Sequence, residues 1–333
     1  MENETKLLSV SSSPHVRDRS STKSIMRDVC IALIPATAVG IYNFRLSAVL
    51  VILTTCVTCI LAEWIWQKCM KQPVTTSDFS ALLTGLLLAL NLPATIPLWM
   101  CVVGGVFAII IGKQVFGGLG MNFMNPALAG RCFMVLSFSS AVTSFTIKEG
   151  ADWMYGIAVD ATSSATPLMH VKTGAMMGDL PSLKDMFLGT TTGTIGETSV
   201  IALLIGAAYL LIRKIITWHI PVIYIATFVC IDFIYQCVMG GAPYPILYEL
   251  CGGGLMLGAW FMATDYVTSP ITRKGQVIYA ILLGLLTALF RFFGESAEGV
   301  SFAIIIGNCA VPLIERFTIP KPFGLEKKKK EVA

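Results

Sequence analysis

The sequence predicts an all-α integral membrane protein, with about ten transmembrane helices arranged as two inverted five-helix repeats and one long extracytoplasmic loop. Its 333 residues are 55% hydrophobic and 13% charged, with a mean hydropathy of +0.74, whereas soluble domains carry about 25% charged residues. The apolar residues form runs long enough to cross a bilayer. Lysine and arginine also alternate between scarce and abundant from one connecting segment to the next, as expected of a multi-pass protein.

The individual spans follow from the length of the apolar runs. A hydrocarbon core of about 30 Å requires about 20 apolar residues in a helix. This criterion gives ten candidates, at residues 25–44, 46–67, 78–92, 95–115, 126–144, 198–213, 219–239, 246–264, 276–293 and 299–316. The polar, basic residues 1–24 precede the first run and no Ala-x-Ala pattern follows it, so we expect a retained span and not a cleaved signal.

The distribution of positive charge predicts the orientation of the spans. With the N-terminus in the cytoplasm, most lysines and arginines lie on the cytoplasmic side, including Lys113 and the basic tail at 327–330. The outer side receives only Arg45, Lys148, Lys172, Lys184 and Arg291. Both termini are therefore predicted to be cytoplasmic. The chain divides into a cytoplasmic segment 1–24, a first repeat 25–144, an extracytoplasmic loop 145–197, a second repeat 198–316 and a basic tail 317–333.

An inverted repeat is expected because five spans lie on each side of the long loop, so that the two halves cross in opposite directions. The runs that begin at Asp78 and Glu249 resemble each other weakly, since each opens with a carboxylate and continues with small and apolar residues. Inverted repeats often place an ion path at the midplane, and ionisable groups are costly in lipid. Asp78, Glu249 and Asp265 are thus candidate ion-path residues. Asp265 follows a span and precedes Thr-Ser-Pro, which also fits a helix-end role.

A glycine-rich segment, Gly-Gly-Leu-Gly-Met-Asn-Phe-Met-Asn-Pro at residues 117–126, leads into the fifth span. Pro126 fits the first position of a helix, and the glycines allow the backbone to approach a helix or a ring system closely. The amides of Asn122 and Asn125 can both donate and accept hydrogen bonds, which suits the edge of a flavin or quinone.

A second polar segment, residues 189–199, leads into the sixth span. Thr194 and Glu197 have the spacing of a capping box, which predicts an N-cap at this position. A helix N-terminus also presents free N–H groups and the positive end of a dipole. We therefore also consider Gly196 and Thr198 as contacts for a phosphate group.

The ten cysteines lie mostly in apolar runs, where a free thiol behaves as a small hydrophobe. We infer no disulfide framework and no metal site. Cys56 and Cys59 have CxxC spacing, but they lie inside an apolar run without a second pair, which is a weak signal for metal or redox chemistry. The sequence contains no nicotinamide-binding motif and no iron–sulfur cysteine set.

Motifs along nearly the whole chain resemble one known family. They are Ser-Pro-His at 13–15, Met-Arg-Asp-Val at 26–29, Ser-Ala-Leu-Leu-Thr-Gly at 80–85, the Gly-x-Asn-x-x-Asn-Pro segment ending at 126, Gly-Thr-Ile-Gly-Glu-Thr-Ser at 193–199 and Ala-Thr-Asp at 263–265. This pattern is similar to RnfD, the D subunit of the Rnf ion-translocating ferredoxin:NAD oxidoreductase. The B subunit of the sodium-pumping NADH:quinone reductase is related but has a longer N-terminal part, so the length favours RnfD.

The resemblance assigns a role to residues 160–168, Asp-Ala-Thr-Ser-Ser-Ala-Thr-Pro-Leu, which composition alone would read as a turn. In the family, Asp-x-x-(Ser/Thr)-x-Ala-Thr is the signal of a flavin transferase, and the last threonine carries FMN through its phosphate. The signal here falls on Asp160, Ser163, Ala165 and Thr166. Ser164 stands where the family often has glycine. By the same resemblance, Asn122 and Asn125 are expected near a second, noncovalent flavin, riboflavin.

The resemblance implies a flavoprotein subunit that passes electrons through FMN and riboflavin and couples the transfer to Na⁺ or H⁺ movement. Its expected location is the cytoplasmic membrane, and the isolated chain is not expected to be active. The implied partners are the membrane proteins RnfA and RnfE, the flavoprotein RnfG, the iron–sulfur proteins RnfB and RnfC, a flavin transferase for maturation and membrane lipid, but no nucleic acid. The alternative is a non-redox channel or transporter of small polar solutes on the same repeats. That protein would purify colourless, as would a purely structural subunit.

Overall fold

The computed structural model describes residues 21–143, 168, 182–189, 191, 193–238, 246–294 and 299–320, and the regular elements in these ranges are helical. We number the α-helices in chain order as α1 Thr22–Cys69, α2 Ser80–Leu90, α3 Leu98–Ile109, α4 Pro126–Ser137, α5 Ser139–Val142, α6 Leu183–Leu188, α7 Val200–Ile212, α8 His219–Val238, α9 Ile246–Cys251, α10 Leu255–Leu257, α11 Arg273–Phe293 and α12 Val300–Thr318. A 3₁₀ turn, Thr76–Asp78, precedes α2. Helix α3 continues into a π-helix at Ile110–Gln114, and α10 continues into another at Gly258–Met262.

Helix α1 consists of two arms that meet at Arg45. The backbone of this residue has φ 54° and ψ −136°, so the helix is interrupted there. The break agrees with the predicted boundary between the spans at 25–44 and 46–67. The first arm begins with a capping box in which Ser21 and Ser24 exchange side-chain and backbone hydrogen bonds.

Within the described residues, four helices, α1, α8, α11 and α12, are long and apolar enough to cross a membrane. Shorter apolar helices occupy 80–90, 98–114, 126–137 and 200–212. The all-helical membrane class is therefore confirmed, whereas the count of ten spans stays a prediction. The predicted span at 78–92 is an 11-residue helix, about 16 Å long at 1.5 Å per residue, which is too short to cross the hydrocarbon core unaided.

The predicted span at 246–264 is also interrupted. Helix α9 ends at Cys251, and Gly253 and Gly254 take left-handed φ values of 71° and 67° before α10 begins. Helix α2 likewise starts after a left-handed residue, Phe79, with φ 66°. Broken helices at membrane depth are stable where their free ends are buried in protein or line a cavity.

Glycines bring the helices into close contact. A Cβ atom on Gly85 of α2 would lie 2.8 Å from the Cα atom of Cys56, so α2 crosses the second arm of α1 at backbone distance. Gly206 of α7 lies directly against the carbonyl of Ala32 in the first arm. Small residues permit this packing in membranes.

The two halves of the chain meet at the C-terminal end of α2. The N–H of Ile195 donates to the carbonyl of Leu92 at 3.1 Å, and the N–H of Gly196 donates to that of Leu90 at 2.8 Å. The segment before α7 thereby satisfies carbonyls that the end of α2 leaves without helical partners. This contact places the start of the second half in the interior of the bundle.

Candidate functional site

A cavity that is partly open to the exterior lies between the first arm of α1, α2, the π-helix after α3 and the turn after the second π-helix. Most of its wall is apolar. The polar side chains on the wall are those of Ser80, Thr84, Lys113, Asn122, Asn125, Thr264, Asp265 and Tyr266. Three residues predicted for function, Asn122, Asn125 and Asp265, thus lie on one cavity.

Asn125 has a structural role at this cavity. Its Oδ1 accepts a hydrogen bond from the N–H of Ala127 at 3.0 Å and caps α4, with Pro126 at the first helical position as predicted. Its Nδ2 donates to the carbonyl of Met262 at 3.4 Å. Asn125 therefore joins the start of α4 to the second π-helix.

The side chain of Asn122 forms fewer hydrogen bonds within the protein than that of Asn125. Its Nδ2 donates to the carbonyl of Met124 at 2.9 Å, and its Oδ1 accepts no hydrogen bond from the residues that the structure describes. The side chain is buried and lines the cavity. Of the two asparagines, Asn122 is the better placed to accept a hydrogen bond from a ligand.

The glycines before Asn122 are required by backbone conformation. Gly117, Gly118 and Gly120 have φ values of 114°, 93° and 91°, which side chains disfavour. A Cβ on Gly120 would meet no atom within 4 Å, and Gly117 and Gly118 lie near only Met121 and Gln114, so these glycines do not pack against a distant helix in the described residues. The predicted approach to a ring system stays a prediction.

Asp265 lines the cavity and follows the second π-helix in the sequence. Its carboxylate accepts a hydrogen bond from Thr268 Oγ1 at 3.1 Å, and its carbonyl accepts one from the N–H of Ser269. Burial raises the pKa of Asp265 above its ordinary value, while hydrogen bonds from Thr268 and from the backbone of Val267 and Tyr266 oppose that effect. Asp265 therefore lies in the turn that follows a helix end, and it also lines the cavity.

Asp78 belongs to a polar network beside the cavity. Its Oδ1 accepts hydrogen bonds from the N–H and the hydroxyl of Ser80, at 2.8 and 2.6 Å. The Ser80 hydroxyl in turn accepts a hydrogen bond from Lys113 Nζ at 2.6 Å. The predicted ion-path residue Asp78 is thus linked through one hydroxyl to the ammonium group of Lys113.

The centre of this network is a buried ion pair that sequence reasoning missed. Lys113 Nζ lies 2.9 Å from each carboxylate oxygen of Glu63, and Oε1 of Glu63 also accepts hydrogen bonds from Gln114 at 2.9 Å and Gln67 at 3.2 Å. We predicted Lys113 as part of the cytoplasmic charge excess, but it is buried in a π-helix. The available signal was the helical spacing of Glu63 and Gln67, which places both on one face of α1.

Glu249 lies in a second polar cluster, which does not line the described cavity. Its Oε2 lies 3.8 Å from Arg291 Nη1. The Arg291 guanidinium donates to the carbonyls of Glu249, Gly252 and Gly253, the last two at 2.8 and 3.2 Å. We predicted Arg291 as a charge on the outer side of the membrane, but the residue is buried near the end of α11. The structure therefore separates Glu249 from Asp78 and Asp265.

The cap of α7 differs from the predicted one. Ser199 is the N-cap, and its hydroxyl accepts a hydrogen bond from the N–H of Ala202 at 3.3 Å. Thr194 Oγ1 instead donates to the carboxylate of Glu197 at 3.0 Å, within a turn that precedes the helix. The sequence pattern identified a real side-chain pair but placed the cap five residues too early.

The predicted phosphate contact by Gly196 and Thr198 stays a prediction. The N–H of Gly196 already donates to the carbonyl of Leu90, and a Cβ on this glycine would lie 2.6 Å from the Cβ of Leu90. Thr198 is buried. The glycine is thus explained by the packing between α2 and the segment before α7.

The predicted flavin attachment signal, Asp160, Ser163, Ala165 and Thr166, lies outside the described residues. Leu168, two positions after Thr166 in the sequence, is described and buried. Its side chain packs against Gly252 and Gly253, the turn whose carbonyls accept from Arg291. Leu168 therefore lies beside the cluster of Glu249 and Arg291.

Comparisons with known proteins identify the family. The profile of the NQR2, RnfD, RnfE family matches residues 9–324. The D subunit of the Na⁺-translocating ferredoxin:NAD⁺ oxidoreductase complex of Acetobacterium woodii is 47% identical over 326 residues, which cover 97% of this chain and 98% of the relative. The D subunit of the proton-translocating ferredoxin:NAD⁺ oxidoreductase complex of Clostridium ljungdahlii is 40% identical, with coverage of 96% and 97%.

A third relative, the D subunit of the ion-translocating oxidoreductase complex of Stutzerimonas stutzeri, is 38% identical over 92% of this chain and 93% of its own length. The matches extend over both halves of the sequence and include the segments that line the cavity. The chain belongs to the NQR2, RnfD, RnfE family, as its resemblance to RnfD predicted.

Proposed function

We propose that this chain is the D subunit of a redox-driven ion translocase of the ferredoxin:NAD oxidoreductase type. The observation that carries the proposal is the end-to-end similarity to relatives that bear this name. Those relatives are named as Na⁺-translocating in one case and proton-translocating in the other. The similarity therefore supports coupled ion transport and leaves both ions as candidates for this chain.

The chain would take part in electron transfer through bound flavins and not through its own side chains. Its sequence lacks a nicotinamide motif and an iron–sulfur cysteine set, so ferredoxin and NAD chemistry falls to partners. We propose the membrane proteins RnfA and RnfE, the flavoprotein RnfG and the iron–sulfur proteins RnfB and RnfC as these partners. The isolated chain would not be active alone, and its place is the cytoplasmic membrane with both termini inside.

The first flavin of the proposal is FMN, attached to Thr166 through a phosphoester. A phosphoester requires a hydroxyl, which Thr166 supplies, and the transferase supplies the base. The small neighbours Ala165 and Ser164 leave room for the enzyme and for the ring. Asp160 and Ser163 complete the signal that the transferase reads.

The second flavin is riboflavin, for which the described cavity is a suitable site. The apolar wall of the cavity, which includes Leu83, Leu87 and Phe261, suits the faces of a ring system. Asn122 Oδ1 is available to accept a hydrogen bond from a ring N–H, while Asn125 holds the wall together. A bound flavin supplies one-electron transfer, and the protein fixes its position and surroundings.

Ion coupling is proposed to involve the carboxylates near the cavity. Asp265 faces the cavity, and Asp78 is connected through Ser80 to the buried pair of Lys113 and Glu63. A change in the charge of a flavin in the cavity would alter the electrostatic energy of these groups, because interactions between charges are stronger in the protein interior than in water. Glu249 would act from the separate cluster around Arg291.

Mass spectrometry of the full chain tests the flavin proposal. The chain is expressed with a flavin transferase as wild type, Thr166→Ala and the matched control Thr162→Ala, which removes a neighbouring hydroxyl. We expect a mass addition of one FMN moiety on the peptide that contains residues 160–170 in wild type and in the control, and none in Thr166→Ala. Absence of the addition in all three proteins, with no flavin released on denaturation, would overturn the redox function and favour a non-redox transporter.

A further inference from the structure

Helix α8 carries a buried carboxylate, Asp232, which the proposed function does not use. The residue is 0% exposed. Its Oδ1 accepts a hydrogen bond from Gln236 Nε2 at 3.1 Å, but its buried Oδ2 has no hydrogen-bond partner among the residues that the structure describes. An unpartnered carboxylate oxygen in a dry interior is unfavourable unless a proton or another cation neutralises it.

The first half of the chain contains the same local pattern. Glu-Trp-Ile-Trp-Gln at residues 63–67 matches Asp-Phe-Ile-Tyr-Gln at 232–236. In both, the glutamine donates to the carboxylate one turn earlier, at 3.2 Å in α1 and 3.1 Å in α8. A basic residue of a later helix, Lys113 or Arg291, lies near each carboxylate. This correspondence favours the predicted repeat and makes Glu63 the natural comparison for Asp232.

The two sites differ in how the basic residue is used. Lys113 Nζ contacts both oxygens of Glu63 directly, so that the pair is neutral and its hydrogen bonds are satisfied. Arg291 instead directs its two terminal nitrogens at the carbonyls of Glu249, Gly252 and Gly253. The guanidinium lies 4.9 Å above the ring of Phe228, which is one turn before Asp232. No hydrogen bond joins Arg291 to Asp232 in the described part of the chain.

Among α8 and the described elements that pack against it, the carboxylates outnumber the nearby basic side chains by one. Helix α8 packs chiefly against α11, and also against α9 and the second π-helix. The charged residues on those elements are Arg291 and Glu249, together with Arg273 and Lys274 at the opposite end of α11. Arg291 and Glu249, 3.8 Å apart, offset each other. Asp232 therefore has no ion-pair partner of its own among the described residues.

The geometry distinguishes a proton from a metal cation. Sodium is a hard cation that takes several oxygen ligands, whereas this site offers one unoccupied carboxylate oxygen. A proton requires only that one oxygen. We propose that Asp232 is a proton-binding site, at which Oδ2 takes an exchangeable proton from water to give a neutral carboxyl group. This assignment concerns the resting protein and does not depend on the flavins.

Infrared spectroscopy of the full chain in lipid nanodiscs tests the assignment. The comparison uses wild type, Asp232→Asn and the matched control Asp28→Asn, in which the removed carboxylate pairs with Arg213 at 2.9 Å. We expect the carbonyl-stretch band of a protonated carboxyl group, shifted in D₂O, to be present in wild type and in the control and to be lost in Asp232→Asn. A spectrum in that region that is identical for all three proteins would overturn the proposal.

A sodium series at constant pH separates the two cations. The band of Asp232 is expected to have the same intensity in sodium chloride and in choline chloride. Loss of the band on addition of sodium would overturn the proton assignment and indicate a sodium site. If Asp232→Asn does not accumulate, Asp232→Glu serves instead. Its band must then change frequency without loss of intensity, and an unshifted band contradicts the assignment.

Discussion

Lys113 Nζ lies 2.9 Å from both carboxylate oxygens of Glu63, and the two side chains are 2% and 1% exposed. Fifty residues separate them in the sequence, and they join the second arm of α1 to the π-helix after α3. An ion pair this deeply buried is stable because every partner is in place. The pair therefore couples the wall of the cavity, through Ser80, to the packing of three helices.

Glu63→Gln should destabilise the protein strongly, because it leaves the ammonium group of Lys113 buried without a counter-charge. We expect the free energy of unfolding to fall by about 3–5 kcal/mol, measured by chemical denaturation in detergent. Lys274→Gln, which removes an exposed lysine, should change it by less than about 0.5 kcal/mol. If both changes lowered the free energy of unfolding equally, the buried ion pair would be no more important for stability than an exposed lysine.

Gly253→Ala should disturb the Arg291 cluster. The residue has φ 71°, and an added Cβ would lie 2.6 Å from Arg291 Nη2. The positive φ alone costs about 1–3 kcal/mol, and we expect a loss of thermal stability of at least that size. The matched control is Gly193→Ala, where a Cβ would meet no atom within 4 Å. A control that loses as much stability as Gly253→Ala would contradict this explanation.

Asn122→Ala and Asn125→Ala should separate ligand contact from helix capping. Removing Asn122 should weaken noncovalent flavin binding about 2- to 10-fold, the value of one hydrogen bond, with little effect on stability. Removing Asn125 should cost about 1 kcal/mol of stability through loss of the α4 cap. Flavin released by acid from the purified protein, together with its melting temperature, measures both effects. Unchanged flavin content in Asn122→Ala would exclude the assigned contact.

Ser199→Ala tests the corrected start of α7. Loss of this cap should lower the free energy of unfolding by about 1 kcal/mol, whereas Thr194→Ala removes only a side-chain pair with Glu197 and should cost less. Denaturant titration of the two variants gives the comparison. If Thr194→Ala proves the more damaging change, the assigned cap is wrong.

Asp78→Asn, Glu249→Gln and Asp265→Asn test the proposed ion path. If a residue carries the transported ion, its variant should lose ion uptake into vesicles while electron flow continues. The measurement is ion uptake per electron transferred in the assembled complex. Coupling that survives in all three variants would remove these residues from the path.

The sequence predicted features that depend on neighbouring residues. The break at Arg45 falls between two apolar runs, and the start of α4 at Asn125 and Pro126 follows from local backbone preferences. The joint position of Asn122, Asn125 and Asp265 on one cavity was not predicted, because no local pattern relates residues about 140 positions apart.

Long-range polar contacts could not be predicted from the sequence, for a physical reason. Lys113 and Arg291 look like flanking charges because each lies near the end of an apolar run, yet both are buried by elements distant in the chain. Hydropathy measures how many polar residues a segment contains. It does not show whether a residue elsewhere in the chain forms an ion pair or hydrogen bond with them. The cap at Ser199 was missed for a similar reason, since Thr194 and Glu197 formed a real pair outside the helix.

Electron flow from reduced ferredoxin to NAD⁺ in inverted membrane vesicles tests the central claim most directly. The complex would be assembled with wild-type chain, Thr166→Ala or the control Thr162→Ala, and NADH formation would be recorded together with ion uptake. We predict that Thr166→Ala abolishes both activities, while Thr162→Ala retains both near the wild-type level. Full NADH formation and ion uptake with Thr166→Ala would contradict the account, because electrons would then not require a flavin on this subunit.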